Sequence, residues 1–313
     1  MKYDQLVRAR YEEILEQREM LARGEDPRVF IPIGLREFDK RAGLKRSQLT
    51  LFGAATGEGK SLWAKHLWEA AAKRGYRSKV YSFEDPAERT AERAMATETD
   101  INTLRMTRLD LDDKQVARMG LAVEEIGEWG ELIDLDTDLR DPEDIISEIE
   151  GLSADDVDLV VVDYLQALSP EDGESLEATL RDFCWRLNRW AKNQKTAVVA
   201  MSQVNNKPED RGYRQMERAQ FRDADAPPYI GGFRPSSPSD LSWCTAAAHR
   251  AKDVGYLFRP ARYHNRFANN RQDDNIMEIS FPKSNFGSEG VIRVGFDLKT
   301  ARFYDLPTKK EAA

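Results

Sequence analysis

Lys60 and Ser61 close a run from Leu49 to Ser61, LTLFGAATGEGKS, whose residue types suit one chemistry, the holding of phosphate. A short apolar stretch leads into a glycine-bearing turn, and an amphipathic segment, Leu62 to Ala72, follows. Backbone N–H groups of such a turn point inward onto phosphate oxygens. The free N–H groups and positive dipole end of the next helix add to the attraction. Ala55, Thr56, Gly57, Glu58, Gly59, Lys60 and Ser61 form the expected cradle. Lys60 would reach the β- and γ-phosphates of a nucleotide, and the Ser61 hydroxyl would hold Mg²⁺. Ala54 stands where the first glycine is usual, while Gly53 and Gly57 keep the turn flexible. A turn that binds nothing is the alternative; the strand before and the helix after favour phosphate.

A metal at Ser61 needs a second carboxylate. Residues 157–164, VDLVVVDY, supply a β-branched strand ending in Asp163. A strand of that kind is buried on both faces, so a carboxylate at its C-terminal tip faces the ligand crevice. Hydrolysis also needs a group that positions or deprotonates water. Val80 to Glu84 is the strand after the P-loop helix, and Glu84 is the candidate base. Glu84 or Asp85 could instead cap a helix starting at Pro86, and Asp85 suits the cap better. The strand Ala197 to Met201 runs into Ser202 and Gln203. An amide at that tip accepts and donates at once, so Gln203 can sense the γ-phosphate; a plain polar strand end is the alternative.

These residues need a frame. Short β-rich runs at 48–53, 78–84, 131–136, 159–163, 196–202 and 254–258 alternate with helical patterns at 61–74, 86–97, 112–127, 141–151 and 174–194. That alternation predicts an α/β fold, a mostly parallel central sheet flanked by helices. Runs at 276–281, 290–296 and 301–305 predict an antiparallel hairpin extension at one sheet edge. Ahead of this domain, residues 3–22 space Leu6, Val7, Tyr11, Ile14, Leu15 and Leu21 along one helical stripe, ended by Gly24 and Pro27. Residues 205–240 read as a long irregular loop, which in a domain of this size is functional or disordered.

With 313 residues there is ample chain for a core, and a net charge of −8 excludes a whole-protein electrostatic footprint for nucleic acid. Any such binding has to come from a local patch. Cys184 and Cys244 read as buried free thiols, and His66, His249 and His264 lack metal-ligand spacing. Neither a signal peptide nor a membrane-length apolar run is visible, which predicts a cytoplasmic protein without a membrane partner.

Taken together the segments resemble the ATPase domain of the DnaB-type replicative helicases and the related phage and mitochondrial ring helicases, from about Ile33 to Asp305. Gly34-Leu35-Arg36-Glu37-Phe38-Asp39 followed by Ala42-Gly43-Leu44 resembles the start of that domain. Ala54 is itself usual there. Ser82-Phe83-Glu84 resembles the family's base motif, Asp163-Tyr164-Leu165-Gln166 its metal-carboxylate run, and Ser202-Gln203-Val204-Asn205 its sensor segment. The resemblance implies a RecA-like, hexameric ring that hydrolyses ATP with Mg²⁺ and moves on single-stranded DNA as a replicative helicase, 5′ to 3′, in a bacterial or phage-infected cell. It implies a helix and linker at 1–30 that packs against a neighbouring subunit, with folding back on its own core as the alternative, an ATPase domain at 31–306 and a tail at 307–313. A loader or primase is an implied partner. A RecA-like recombination or repair ATPase, and a non-unwinding ATP-gated loader, are the alternatives.

Two departures stand out. Residues 1–30 are the only ones ahead of the domain, where the family carries a collar or primase domain. Lys283 matches a cation that reaches the neighbour's γ-phosphate, but Asn285 occupies the arginine-finger position. Arg259, Arg262 or Arg293 would substitute, or hydrolysis would be weak and need a partner.

DNA would lie on the loop after Gln203. Lys207, Arg211, Arg214, Arg218 and Arg222 interleave there with Tyr213 and Phe221, cations for phosphates and rings for bases. Glu209, Asp210, Glu217, Asp223 and Asp225 nearly cancel that charge, so a mixed solvated loop stays open as the alternative. Arg259, Arg262, Tyr263, Arg266, Phe267 and Arg271 form a second, more clearly basic cluster, available to DNA, a neighbour's phosphate or a partner protein.

Overall fold

Apolar β-branched runs separated by capped helices build one wound sheet. The computed structural model describes residues 2–41, 43–169, 175–222, 230–267, 274–284 and 290–307, with the backbone alone at 219–222, 230 and 267. Helix α1 (Tyr3–Ala22) leads, and the short pair β1 (Phe30–Ile31) and β2 (Leu44–Lys45) brackets α2 (Arg36–Asp39). The wound part runs β3 (Gln48–Ala54), α3 (Lys60–Ala72), β4 (Ser78–Ser82), α4 (Ala87–Thr99), α5 (Thr103–Thr107), α6 (Asp113–Gly130) and β5 (Ile133–Asp136). It continues with α7 (Pro142–Glu150), β6 (Leu159–Asp163), α8 (Leu176–Gln194), β7 (Ala197–Gln203), α9 (Lys207–Arg222), α10 (Thr245–Arg250) and β8 (Asp253–Phe258). Helix α11 (Pro260–Phe267) then precedes β9 (Ile276–Lys283), β10 (Gly290–Asp297) and β11 (Arg302–Tyr304).

Among the described residues, nine strands order as β11-β10-β9-β8-β3-β7-β6-β4-β5. The six from β8 to β5 are parallel, and β9, β10 and β11 add to β8 antiparallel, as the sequence predicts. Register decides where chemistry can happen. Ser82 pairs with Asp163, and Ala54 with Gln203, so the C-terminal tips of β3, β4, β6 and β7 form one level rim.

The core lies on both faces of that sheet. On one, Leu159 and Val161 of β6 pack with α3, α2 and the β9–β11 extension. On the other, Val160 and Val162 pack with α7, α8 and α10. Each such side chain contributes about 1.5–3 kcal/mol on burial, which is why the β6 sequence carries no polar residue before Asp163. Helix α3 is apolar nearly all round because it is enclosed: Trp63 meets Phe38, Phe52 and Phe303 edge-on. Helix starts follow local chemistry: Asp112 and Gln115 form a capping box before α6, and Asp141 caps α7 with Pro142 at its first turn.

Two features differ from the sequence expectation. Residues 207–222 of the expected irregular stretch are helical. That helix shows few of the usual apolar signals: Met216 is buried, and Gly212 sits mid-helix because a Cβ there would lie 2.5 Å from the Phe233 ring. Helices α5, α10 and α11 are five, six and eight residues long, too short for periodicity to register. Helix α1 buries none of its residues, leaving Tyr3, Leu6, Val7, Tyr11 and Leu21 exposed. Among the described residues no helix is long and apolar enough to cross a membrane. Cys184 and Cys244 are buried free thiols.

Candidate nucleotide site

The turn between β3 and α3 has the backbone a phosphate cradle requires. Gly57 and Gly59 take φ values of 76° and 91°, the left-handed region where a side chain is strained. Gly59 also precedes α3 without a side-chain cap, so first-turn N–H groups of α3 face the cleft. Gly53 has a different reason to be glycine: a Cβ there would lie 2.5 Å from Leu241 and Tyr256 side chains.

A cleft of about 280 Å³ at the rim gathers Thr56, Lys60, Ser61, Glu84, Tyr164 and Gln203. The Lys60 ammonium stands 3.3 Å above the centre of the Tyr164 ring and 3.4 Å from the Glu84 carboxylate. The Ser61 hydroxyl donates to the same carboxylate at 3.1 Å. Glu84 is held there by its backbone neighbours, since the Phe83 N–H donates to the Asp163 carbonyl at 2.8 Å and Arg140 donates to the Phe83 carbonyl at 3.2 Å. Asp85 does not cap the following helix, contrary to the sequence expectation. Pro86 occupies the cap position, and Asp85 pairs with Arg93, two turns along α4.

Asp163 is fully buried, and among the described residues neither of its carboxylate oxygens has a hydrogen-bond partner, the nearby Ser61 hydroxyl donating to Glu84 instead. Burial pushes its pKa up to about 6, against the pull of Lys60 and Ser61 and with help from Glu84 and Asp85. A sealed, unpartnered carboxylate beside a hydroxyl and a lysine is a costly arrangement. It fits a hard divalent cation bound by oxygen donors, with Ser61 and Asp163 as the protein's share.

Gln203 reaches the cradle directly, donating from Nε2 to the Thr56 hydroxyl at 3.0 Å. A residue the sequence reading gave no role fixes it there. Gln166, in the turn after β6, accepts from the Gln203 N–H at 3.0 Å and donates to the Ser202 hydroxyl at 2.9 Å and the Ser242 carbonyl at 2.7 Å. Its only sequence signal was its place in the Asp-Tyr-Leu-Gln run.

Glu58 belongs to the turn, but its side chain faces α11 rather than the cleft. It accepts from the Arg259 N–H at 2.9 Å and from Arg262 Nη1 at 3.2 Å. Arg259 Nη1 also donates to the Gly57 carbonyl at 3.1 Å, and Arg262 Nη1 to the Thr56 carbonyl at 2.7 Å. The described arginines of the second basic cluster are thus paired within the chain, although Arg262 and Arg266 stay exposed. Arg259 is buried and paired with Asp274, Arg262 grips its own P-loop, and Arg266 pairs with Glu209. Arg271 and the Phe267 side chain lie outside the described residues. Arg293 is held by Glu278 at 2.9 Å. All three expected substitutes for a trans cation are thus engaged within the chain.

Lys283 does not join the site of its own chain. It pairs in register with Val254 near the start of β8, and its ammonium donates to the Ala248 and His249 carbonyls at 3.0 and 2.6 Å. Burial and nearby Lys252 lower its pKa. Asn285 lies outside the described residues. Along α9, Lys207 donates to the Ser239 carbonyl at 3.2 Å and Arg211 pairs with buried Asp240 at 3.2 Å. Arg214 and Arg218 are exposed four residues apart, on one helical face. The side chain of Arg222 lies outside the described residues.

Known proteins resemble this chain in sequence and in architecture. Residues 31–305 match the family described as DnaB-like helicase C terminal domain. Replicative DNA helicase DnaB of Haemophilus influenzae is 25% identical over 287 residues, covering 90% of this chain and 56% of that protein. The chain thus spans little more than half the length of that relative. One solved structure, of an ATPase domain, superposes with a TM-score of 0.78 at 21% identity, covering 98% of this chain and 99% of that one. A DnaB-like replicative helicase, described with its interactions with primase, superposes at 0.76 and 21% identity, covering 98% and 67%. Both likenesses show the expected RecA-like fold. The family match over most of the sequence shows that the chain belongs to the DnaB-like helicase C-terminal domain family.

Proposed function

We propose that this chain is the ATP-driven motor of a replicative DNA helicase, a ring of six copies moving along single-stranded DNA. The observation that carries the reading is the convergence on one rim of Lys60, Ser61 and Glu84, which line the cleft, with Asp163 buried beside them at the tip of β6. The cradle from Ala55 to Ser61 binds the triphosphate, with Lys60 turning from Glu84 to the β- and γ-phosphates. Mg²⁺, held by Ser61 and Asp163, would supply charge neutralisation between those phosphates. Glu84, once released by Lys60, accepts a proton from the attacking water. Gln203 relays the state of Thr56 to the segment leading into α9.

Other parts follow from the same reading. Arg214 and Arg218, with Arg222, grip the DNA backbone without base readout, so little sequence preference is expected. Lys283 acts on the nucleotide of a neighbouring copy. Helix α1 packs its exposed Leu6, Val7, Tyr11 and Ile14 on a neighbour, where the exposed Leu104, Val116, Leu121 and Val123 of α5 and α6 offer an apolar counterpart. The domain would run from 31 to 306, with a loader or primase as partner, in the cytoplasm of a bacterial or phage-infected cell, and with 5′ to 3′ polarity.

A forked-duplex assay tests the reading. ATP-dependent strand separation, abolished by Glu84→Gln, is expected. Nucleotide and DNA binding without strand separation would remove the helicase and leave a loading factor.

A further inference from the structure

The P-loop is gripped from behind, and the grip continues to α9. Arg262, on α11, holds the Thr56 carbonyl and the Glu58 carboxylate. The next residue, Tyr263, stacks on Phe258 of β8 at 5.1 Å and on Phe233 at 5.0 Å. Phe233 meets Tyr213 of α9 edge-on at 5.3 Å. One turn further along α11, Arg266 pairs with Glu209 in the first turn of α9 at 3.0 Å. Between α9 and the P-loop lies a cleft of about 240 Å³, whose walls include Thr56, Glu58, Gln203, Glu209, Arg262 and Arg266.

We propose that α11 is a coupling element, with Arg262 as the positioning residue through which movement of the phosphate-binding turn is passed to α9. This rests on reading the rim cleft as a nucleotide site. Three contacts make the linkage stiff. Glu58 is sealed from solvent, so losing Arg262 would leave a buried carboxyl group short of a partner, and the two bonds from Arg262 tie it to the turn. Close-packed rings displace one another rather than deform. Phe233 presses on the α9 backbone itself at Gly212, where no Cβ intervenes, so a shift of the ring moves the helix. Tyr213 is followed by exposed Arg214, so a shift of α9 re-aims a cation. The Gln203 contact on Thr56 would be a second, parallel route.

Hydrogen exchange of the α9 amides, measured on the full chain with and without Mg²⁺ and a non-hydrolysable ATP analogue, tests this. In the wild type the analogue is expected to change α9 exchange by about fivefold or more, the scale of ordinary site-to-site coupling. In Arg262→Ala at saturating analogue the change should be at least halved, with Arg262→Lys intermediate. An undiminished change in Arg262→Ala overturns the proposal, as does an α9 that ignores bound analogue in the wild type. If Arg262→Ala does not fold, Phe233→Leu interrupts the same route further along and is read the same way. No DNA enters the measurement, so failure of the helicase reading leaves it standing. A wild type that retains no analogue removes the nucleotide site and this inference together.

Discussion

Glu84 and Lys60 form an ion pair across the cleft, carboxylate to ammonium at 3.4 Å, with Ser61 donating to the same carboxylate. The candidate base and the candidate phosphate-binding cation therefore occupy each other. Half of the Glu84 side chain is exposed, so the pair is weak and readily exchanged for phosphate.

Glu84→Gln separates binding from chemistry. The amide cannot accept the water's proton, while the cradle from Ala55 to Ser61 is untouched. Turnover should fall about 10²–10⁴-fold, with ATP affinity kept or slightly raised because Lys60 is released. Steady-state hydrolysis and equilibrium nucleotide binding on the same samples check it; a parallel loss of both would place the base elsewhere.

Asp163→Asn removes a buried charge that has no hydrogen-bond partner among the described residues. The ligand-free protein should gain stability against denaturant, since burial disfavours the ionised form. Retention of ATP in Mg²⁺ should drop, and added EDTA should erase the difference from wild type. Unchanged Mg²⁺-dependent retention would take Asp163 out of the metal shell.

Glu58 gives a pH signature. Burial raises its pKa from 4.5 to about 7, opposed by Arg262 and Arg259 and reinforced by Asp274; it also faces Tyr263, whose hydroxyl is pushed up to about 12. The native state thus keeps a proton that the unfolded chain releases above 4.5. This group's contribution is fully present below that value and is lost as pH rises through about 7, by up to about 3 kcal/mol. Urea unfolding at about pH 5 and about pH 8 should show a decline that Glu58→Gln flattens. An equal decline in the variant would assign it to another group.

Arg214→Ala and Arg218→Ala should each weaken single-stranded DNA binding evenly across sequences and reduce the salt slope by about one. Arg211→Ala should instead lower stability, because it takes the paired cation from buried Asp240 and leaves it, among the described residues, only the Ser236 and Ser237 N–H groups. Titrations of labelled oligonucleotides over a salt series distinguish the two. Equal salt slopes for wild type and Arg214→Ala would move the DNA path off α9.

The sheet and its rim were legible because local sequence dictates them. Asp163 ends an uninterrupted apolar strand, and Gly59, Lys60 and Ser61 punctuate a strand-to-helix turn. Helix α9 was not legible, since only scattered residues such as Met216 are buried and Gly212 argues against a helix unless Phe233 is known to sit on it. The grip on Glu58 was invisible for another reason: its partner Arg259 is 201 positions away, and a lone carboxylate in a P-loop carries no periodic signal. Arg259 and Arg262 therefore read as a surface patch, when folding buries Arg259 and ties half-exposed Arg262 to the P-loop.

The sheet also limits how copies of this chain can meet. Its two margins are β5, four residues long and carrying Asp134 and Asp136, and β11, three residues long with Arg302 at its start. Margins so brief and so charged offer no template for a foreign strand. Among the described residues both margins of the sheet thus disfavour self-association by strand addition, which points any higher assembly toward helices, loops and side-chain surfaces.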